Sequence, residues 1–125
     1  MTEPLWFDKV EILAIHREQL AEHGGLDGLR DEGLLESALM PPQNAFYYEE
    51  ADLYKMATAY AYGIVKNPPF IDGNKRTAYV ACFAFLRLHS LGFKNNHAEK
   101  LTMMLGLAAG EISEDDFAAW LRRNC

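Results

Sequence analysis

Apolar residues recur at intervals of three and four along most of the chain, which is the spacing of one face of an α-helix rather than of a β-strand. Glycine pairs, proline pairs and capping residues divide this pattern into helical segments. The predicted helices follow Asp8, run from Asp31 to the Pro41-Pro42 pair, from about Glu50 to Lys66, from about 74 to 91, from Asn96 to Gly110, and from Ser113 towards the C-terminus. The pattern therefore predicts an all-α fold.

The fourth predicted helix, at about 74–91, is apolar on nearly every side between Ala78 and Leu88. This composition is typical of a helix that is surrounded by others, so we predict a compact six-helix bundle around a central buried helix. The run from Ala78 to Leu86 is far shorter than the roughly 20 residues that a membrane helix needs. We therefore expect no membrane partner.

Three predicted helices begin with a capping pair, in which a short polar residue is followed three positions later by an acidic residue. These pairs are Asp8 with Glu11, Asn96 with Glu99, and Ser113 with Asp116. The apolar stripe expected on the fifth helix comprises Leu101, Met104, Leu105 and Ala108.

Length and charge narrow the class of protein. A chain of 125 residues, half of them hydrophobic, fits a single domain over residues 1–125. The net charge of −6 argues against direct binding of nucleic acid, whose phosphates attract a basic face. Cys82 and Cys125 lie far apart, and Glu3 stands where an export signal carries basic residues. We expect a cytoplasmic protein in which Cys82 packs as a small hydrophobe.

Polar chemistry concentrates in residues 70–76, FIDGNKR, where the fourth helix begins. A helix N-terminus presents unpaired backbone N–H groups and a partial positive charge, so the amides around Gly73, Asn74 and Lys75 form a candidate anion site. Gly73 allows a ligand to approach the backbone closely. Lys75 and Arg76 add positive charge that suits several phosphates better than one carboxylate. The segment predicts a site for a nucleoside triphosphate.

The same segment also permits a purely structural interpretation, in which Asp72-Gly73 is a turn, Asn74 an N-cap and Lys75-Arg76 a solvated first turn. Two cations in the first turn of a helix oppose its dipole, typically by a few tenths to 1 kcal/mol each. That cost favours the phosphate site. Asp72 beside it is the one nearby oxygen ligand that suits Mg²⁺.

Residues 69–78, PFIDGNKRTA, closely resemble the motif of the Fic/Doc family. Further stretches that resemble the family extend the likeness over nearly the whole chain, at 24–31, 34–39, 48–50, 85–87 and 110–113. The resemblance implies the family's compact helical fold.

Lys75 stands at the position that separates two chemistries within this family. Fic members have glycine there and transfer AMP, whereas Doc members have lysine and transfer the terminal phosphate of ATP. The resemblance therefore implies a Doc-type toxin, a protein kinase that uses ATP and Mg²⁺ to phosphorylate elongation factor Tu and so arrests translation. AMP transfer is the alternative, disfavoured because the lysine side chain would crowd the phosphate placement that the Fic glycine permits.

The resemblance also implies roles for individual residues. Asp72 would bind the metal and orient the phosphates, and Phe70 would anchor the loop in the core. The implied nucleotide-binding residues are Phe70, Gly73, Asn74, Lys75 and Arg76. Asp72, Lys75 and Arg76 form the implied catalytic set together with position 68.

Position 68 departs from the family motif, which begins with histidine two residues before the phenylalanine. Here that position is Pro68, which has no titratable group and cannot accept the proton of a substrate threonine. A positioned general base contributes typically 10²- to 10⁴-fold, so we expect an inactive or weak kinase. The alternative function is a catalytically dead pseudo-toxin that keeps only its contact with an antitoxin.

The implied partner is a Phd-like antitoxin, whose C-terminal segment would fold as a helix in a hydrophobic groove. The first predicted helix and residues 34–46 are the candidate walls of that groove.

None of the four histidines pairs with another at metal-ligand spacing, which argues against a metal hydrolase. His16, on the apolar face of the first helix, is predicted to be a packed, hydrogen-bonded core residue rather than a replacement base. Tyr47 and Tyr48 are expected to pack under a loop, and Met103 and Met104 to line the core or a groove.

Overall fold

The computed structural model describes residues 2–92 and 97–125. Within these residues the chain forms helices and no β-strand, which confirms the all-α prediction. The helices are α1 (Lys9–His23), α2 (Glu32–Glu49), α3 (Leu53–Lys66), α4 (Asn74–Leu88), α5 (His97–Ala109) and α6 (Glu114–Asn124). None of the helices in the described ranges is long and apolar enough to span a bilayer.

The predicted caps of α1 and α6 are confirmed. The backbone N–H of Glu11 donates to Asp8 Oδ1 at 3.2 Å, and the N–H of Asp8 donates back to Glu11 Oε2 at 2.9 Å. Gly24 ends α1 with a φ of 78°. The Ser113 hydroxyl accepts from the N–H of Asp116 at 3.1 Å, which caps α6. Local sequence therefore determines where these two helices begin.

The predicted stop of the second helix at Pro41-Pro42 is wrong, because α2 continues to Glu49. A proline inside a helix removes a backbone donor and costs about 3 kcal/mol or more. The apolar stripe nevertheless continues through the proline pair, and packing of that stripe outweighs the local cost. The buried residues of α2 are Leu35, Ala38, Pro42 and Ala45.

Helices α2 and α3 approach each other closely beside the proline pair. Pro42 has no N–H to offer the carbonyl oxygen of Ala38, four residues earlier. A Cβ added to Gly63 of α3 would lie only 2.7 Å from that oxygen. Glycine at this position therefore allows the α3 backbone to pack directly against the place where α2 lacks its hydrogen bond.

The centre of the bundle is shared by α3 and α4. Helix α3 contacts α2, α4, α5 and α6, whereas α4 contacts α1, α3 and α5. Helix α4 is buried as predicted, although it ends at Leu88 rather than near 91, and six of its 15 residues are buried. Eight of the 14 residues of α3 are buried, so α3 is the more enclosed of the two. The difference arises because the beginning of α4 opens to solvent.

The predicted apolar stripe of α5 divides between core and surface. Met104 is buried, and Met103 is half-buried against the core, as predicted. Leu101 and Leu105 are 43% and 45% exposed, so the expectation that they are buried is wrong. These two leucines face a cleft rather than the core. The cap predicted at Asn96 lies outside the described residues.

Tyr47 and Tyr48 are 52% and 82% exposed, so the predicted packing under a loop is wrong for Tyr48. The reason is the continuation of α2, which places both residues in its last turn instead of before a helix start. Tyr47 keeps partial packing, because its hydroxyl donates to Glu3 and its ring lies beside Trp6.

Cys82 is fully buried in α4, where burial raises the pKa of its thiol far above the ordinary value. It packs in the core as a small hydrophobe, as predicted. Cys125, the other free cysteine, is only partly buried after the end of α6.

Candidate functional site

Phe70 anchors the loop between α3 and α4. Its side chain is 2% exposed, and an isolated antiparallel bridge joins its backbone to Leu29 in the loop between α1 and α2. The Asn74 side chain closes the loop, since its Oδ1 accepts from the N–H of Phe70 at 3.0 Å and its Nδ2 donates to the Phe70 carbonyl at 2.9 Å. The predicted anchoring of the loop by Phe70 is thus what the structure shows, and Asn74 braces the same turn.

The loop between α1 and α2, residues 24–31, pairs with this segment by backbone hydrogen bonds. The N–H groups of Arg30 and Asp31 donate to the Pro69 carbonyl at 2.6 and 3.3 Å. The N–H of Ile71 donates to the Gly28 carbonyl at 3.0 Å. Two distant parts of the sequence are therefore joined by hydrogen bonds at the beginning of α4.

His16 holds the loop from the side of α1. Its ring is 3% exposed and stacks on the Phe70 ring, with centroids 3.7 Å apart and planes 5° apart. Its Nε2 lies 2.7 Å from the carbonyl oxygen of Asp72. The prediction of a packed, hydrogen-bonded core residue is confirmed. The helical spacing of α1 did not reveal that His16 contacts the motif loop, because that contact joins residues 56 positions apart.

The carboxylate of Asp72 lies at the surface of the loop. Its Oδ1 accepts from the N–H of Gly73 at 2.9 Å, and its Oδ2 accepts from the N–H of Leu26 at 3.3 Å. A carboxylate has about four lone-pair sites, so acceptor capacity remains for a cation. In residues 2–92 and 97–125, no cluster of three or more His, Cys, Asp or Glu side chains is arranged to hold a metal.

The N-terminus of α4 lacks a side-chain cap. Its N-cap is Gly73, which has φ 79° and ψ 14° and forms no side-chain hydrogen bond to the first turn. Lys75 and Arg76 follow in that turn, both are exposed, and neither forms an ion pair with a described residue. The first-turn amides and both cations are therefore available to an external anion.

A cleft of about 900 Å³ opens in front of this helix end. It contains five of the predicted site residues, namely Asp72, Gly73, Asn74, Lys75 and Arg76. Phe70 lies behind the cleft wall in the core, and Pro68 is half-buried and not among the lining residues. The structure thus brings together the predicted polar residues and keeps Phe70 as their support.

Another part of the cleft is mainly apolar and comes from α4 and α5, while α1 contributes the polar residues Gln19, Glu22 and His23. Of these residues the sequence identified only Met104 as a possible groove residue, although Tyr79 follows Lys75 by four positions and so shares its helix face. The hydroxyl of Tyr79 lies 2.7 Å from Nδ1 of His97, and burial raises the pKa of Tyr79. This part of the lining comprises Tyr79, Val80, His97, Leu101, Met104 and Leu105.

The model of the Fic/DOC family matches residues 6–86, which include α1, the paired loops and most of α4. The chain therefore belongs to the Fic/DOC family, as the resemblance of residues 69–78 predicts.

Within that family the chain is similar to two Doc proteins. It is 33% identical over 114 residues to the protein kinase doc of Escherichia phage P1, and the match covers 90% of each chain. It is 35% identical over 104 residues to the toxin Doc of Mycolicibacterium smegmatis, with 78% of each chain covered. Both matches confirm the predicted likeness to the Doc members of the family.

Proposed function

We propose that this protein is a Doc-type toxin that binds ATP with Mg²⁺ and transfers the terminal phosphate to elongation factor Tu, and so acts in the cytoplasm to arrest translation. One observation carries the proposal. The N-terminus of α4 has no side-chain cap, and its two exposed cations, Lys75 and Arg76, face a cleft of about 900 Å³. The two relatives, a protein kinase and a toxin by name, support the same activity.

The two parts of the cleft suit the two parts of a nucleotide. Lys75 offers a mobile point charge and Arg76 a planar fork of donors, and both pair well with phosphate oxygens. The apolar part offers Tyr79 and Val80 as surface for a nucleobase. A cleft of this volume lies in the usual range of about 300–1,000 Å³ for small-molecule sites.

Asp72 is the residue that fits a magnesium ion. Its carboxylate is exposed, keeps acceptor capacity, and lies beside the positive end of α4. Mg²⁺ in such sites is bound by one or two carboxylates together with phosphates and water, so a single protein ligand suffices. When bound, the ion would neutralise charge on the phosphates.

Phosphate transfer is favoured over AMP transfer because of Lys75. Lys75 lines the cleft at the position where the AMP-transferring members of the family have glycine. Phosphoryl transfer depends mainly on positioning and on neutralising charge, and Lys75 and Arg76 meet that need.

The missing base sets the rate. Pro68 cannot accept the proton of the attacking hydroxyl, so the proposed kinase works 10²- to 10⁴-fold below a member with histidine at this position. Pro68 also favours the second candidate, a pseudo-toxin that binds its antitoxin without catalysis.

Replacing Pro68 decides between these candidates. Pro68→His is expected to increase phosphorylation of elongation factor Tu by about 10²- to 10⁴-fold, measured as a mass increase of one phosphate group. Pro68→Asn is the matched control, because it removes the proline ring without supplying a base. Equal activity of the two variants would attribute any gain to loop flexibility, and a mass increase matching AMP would exclude the assigned chemistry. No modification by Pro68→His would favour the pseudo-toxin.

We also propose a Phd-like antitoxin as the partner, bound through its C-terminal segment. The two candidate walls do not line one groove in either cleft described, since α1 contributes to the cleft at α4 and residues 41–45 to a second cleft beside α3. Co-expression with the neighbouring gene product followed by pull-down tests the partnership. Failure to co-purify would contradict it, and co-purification that persists in Pro68→His would separate antitoxin binding from catalysis.

A further inference from the structure

His16 makes two contacts with the motif loop, and the two contacts hold different parts of the structure. Stacking on Phe70 holds the ring in place, and the hydrogen bond to Asp72 acts on the backbone. A carbonyl oxygen can only accept, so Nε2 of His16 carries the hydrogen and donates it. His16 is not among the residues that line the cleft, so any effect on a ligand acts through the loop.

The peptide unit between Asp72 and Gly73 is the part of the loop that this hydrogen bond orients. The peptide bonds of the described residues are trans, and in a trans peptide the C=O and N–H groups point in opposite directions. The carbonyl points towards His16 on α1. The N–H belongs to Gly73 and points the other way, to the Asp72 carboxylate that lines the cleft.

The Asp72–Gly73 peptide unit could also adopt the reverse orientation. The φ of 79° and ψ of 14° at Gly73 match the third residue of a type II turn, whose ideal values are about +80° and 0°. In a type I turn over the same residues, the Asp72–Gly73 peptide unit is turned over, and the third residue has a φ of about −90°. Glycine adopts either conformation readily, so Gly73 does not by itself choose between them.

The two turns differ in what they present to an anion. In the observed conformation the N–H side of the peptide unit faces the Asp72 carboxylate that lines the cleft, and the N–H donates to that carboxylate at 2.9 Å. In the turned-over form the cleft receives the Asp72 carbonyl oxygen, which repels phosphate oxygens. A donor buried on the α1 side of the loop stabilises the first form and has no partner in the second.

We propose that His16 is a positioning residue that holds the Asp72–Gly73 peptide unit with its carbonyl oxygen turned away from the phosphate site. The proposal rests on the proposed function only in assigning ATP as the anion. It gives α1 a part in nucleotide binding although His16 touches no ligand.

Two variants separate the hydrogen bond from the stacking. His16→Phe keeps an aromatic ring against Phe70 and removes the donor, and His16→Gln removes the ring and keeps an N–H donor. We expect His16→Phe to weaken Mg²⁺-ATP binding about tenfold in calorimetry, and His16→Gln to recover most of that loss. A general effect on stability would weaken binding in both variants.

His89 provides a matched control within the same chain. Its Nδ1 lies 2.8 Å from the Phe85 carbonyl and its ring lies 4.5 Å from the Phe85 ring, at the far end of α4. His89→Phe is expected to lower the melting temperature without changing ATP affinity. If His16→Phe lowers the melting temperature as His89→Phe does and leaves ATP affinity at the parent value, His16 is a structural residue only and the proposal fails.

A crystal structure of His16→Phe tests the orientation without relying on ATP. We expect the Asp72 carbonyl to turn towards the cleft, with a negative φ at Gly73. A carbonyl that keeps its direction overturns the proposal. If the parent chain binds no ATP, the proposed function fails, and the direction of this carbonyl still decides the role of His16.

Discussion

The N-termini of α4 and α6 have the same partial positive charge from the backbone dipole, but the side chains in their first turns carry opposite charges. Helix α6 begins with Ser113 as its cap and has three acidic residues in its first turn, Glu114, Asp115 and Asp116. Helix α4 begins with Gly73, has no side-chain cap and carries two cations in its first turn. Negative charge at a helix N-terminus is stabilising and positive charge is destabilising, by about 0.3–1 kcal/mol each.

The difference identifies the beginning of α4 as the candidate functional position, because its first-turn charges are unfavourable for folding. The beginning of α6 is capped within the chain, whereas that of α4 has no capping side chain, and the Asp72 carboxylate beside it bonds the N–H of Gly73 rather than the first turn. Lys75 and Arg76 are unfavourable in the isolated helix and become favourable when an anion lies in the cleft. In the proposed function, the stability lost at the beginning of α4 is recovered when a phosphate group binds there.

Removing the two cations at the beginning of α4 should give the largest change in ATP affinity. Lys75→Ala and Arg76→Ala each remove a charge-assisted contact worth about 1.5–3 kcal/mol, so each should weaken Mg²⁺-ATP binding roughly 10- to 100-fold in calorimetry. Each should also raise the free energy of unfolding by a few tenths of a kcal/mol, because a cation leaves the positive end of a helix.

Arg123 is the matched control for that prediction. It lies in the last turn of α6, where a cation is favourable. Arg123→Ala should slightly lower the free energy of unfolding and leave ATP binding unchanged. A loss of ATP affinity in Arg123→Ala equal to that in Lys75→Ala would show that net charge, rather than the end of α4, attracts the nucleotide.

The cap of α6 should matter for stability alone. Ser113→Ala removes the acceptor for the N–H of Asp116 and should lower the free energy of unfolding by about 1 kcal/mol in urea denaturation, with ATP binding unchanged. Ser113→Asp keeps a capping oxygen and should remain close to the parent. Equal stability of the alanine and aspartate variants would show that the cap contributes nothing.

The smallest expected effect is on the stability contributed by the N-cap of α3, and it depends on pH. Burial acts to raise the pKa of Asp52, the N-cap of α3, but hydrogen bonds from Arg122 and from the N–H of Lys55 outweigh it and hold the pKa below its ordinary value of 3.8. A depressed folded-state pKa gives stability above the unfolded value, which is lost as pH falls through the folded value.

Asp52→Asn keeps a capping oxygen without the charge and isolates that contribution. Because the ion pair is partly exposed, we expect the parent to exceed this variant by roughly 0.5 kcal/mol near pH 6. The advantage should shrink as pH falls below 3.8 and disappear below the folded-state pKa, in urea denaturation at several pH values. An advantage that stays constant with pH would rule out the charge as its source.

The parts of the fold that the sequence predicts correctly are those fixed by neighbouring residues. The capping box of Asp8 and Glu11 and the cap at Ser113 depend on contacts three residues apart. The end of α2 depends instead on packing against α3. Pro41-Pro42 is a sound local stop signal, and the helix continues because its apolar stripe packs in the core and Gly63 allows α3 to approach it closely.

In the candidate site, too, the features set by neighbouring residues could be predicted and those set by tertiary contacts could not. Residues 72–76 could be identified because a helix start concentrates their chemistry in one segment. The other wall of the cleft comes from α5, and the contact of His16 joins α1 to the loop before α4, so both depend on tertiary structure. The exposure of Leu101 and Leu105 was missed because a 3.6-residue period does not distinguish a cleft-facing stripe from a core-facing one.

Because Cys82 is buried, the reactivity of its thiol can be used to measure how often the helical bundle opens. A thiol reacts as its thiolate, and burial suppresses that form in Cys82, so a reagent such as a maleimide can modify it only after the centre of the bundle opens. Cys125 at the end of the chain is partly exposed and would be modified first. The rate of the slower labelling phase then measures how often α4 separates from its neighbours. A nucleotide that stabilises the beginning of α4 would lower that rate.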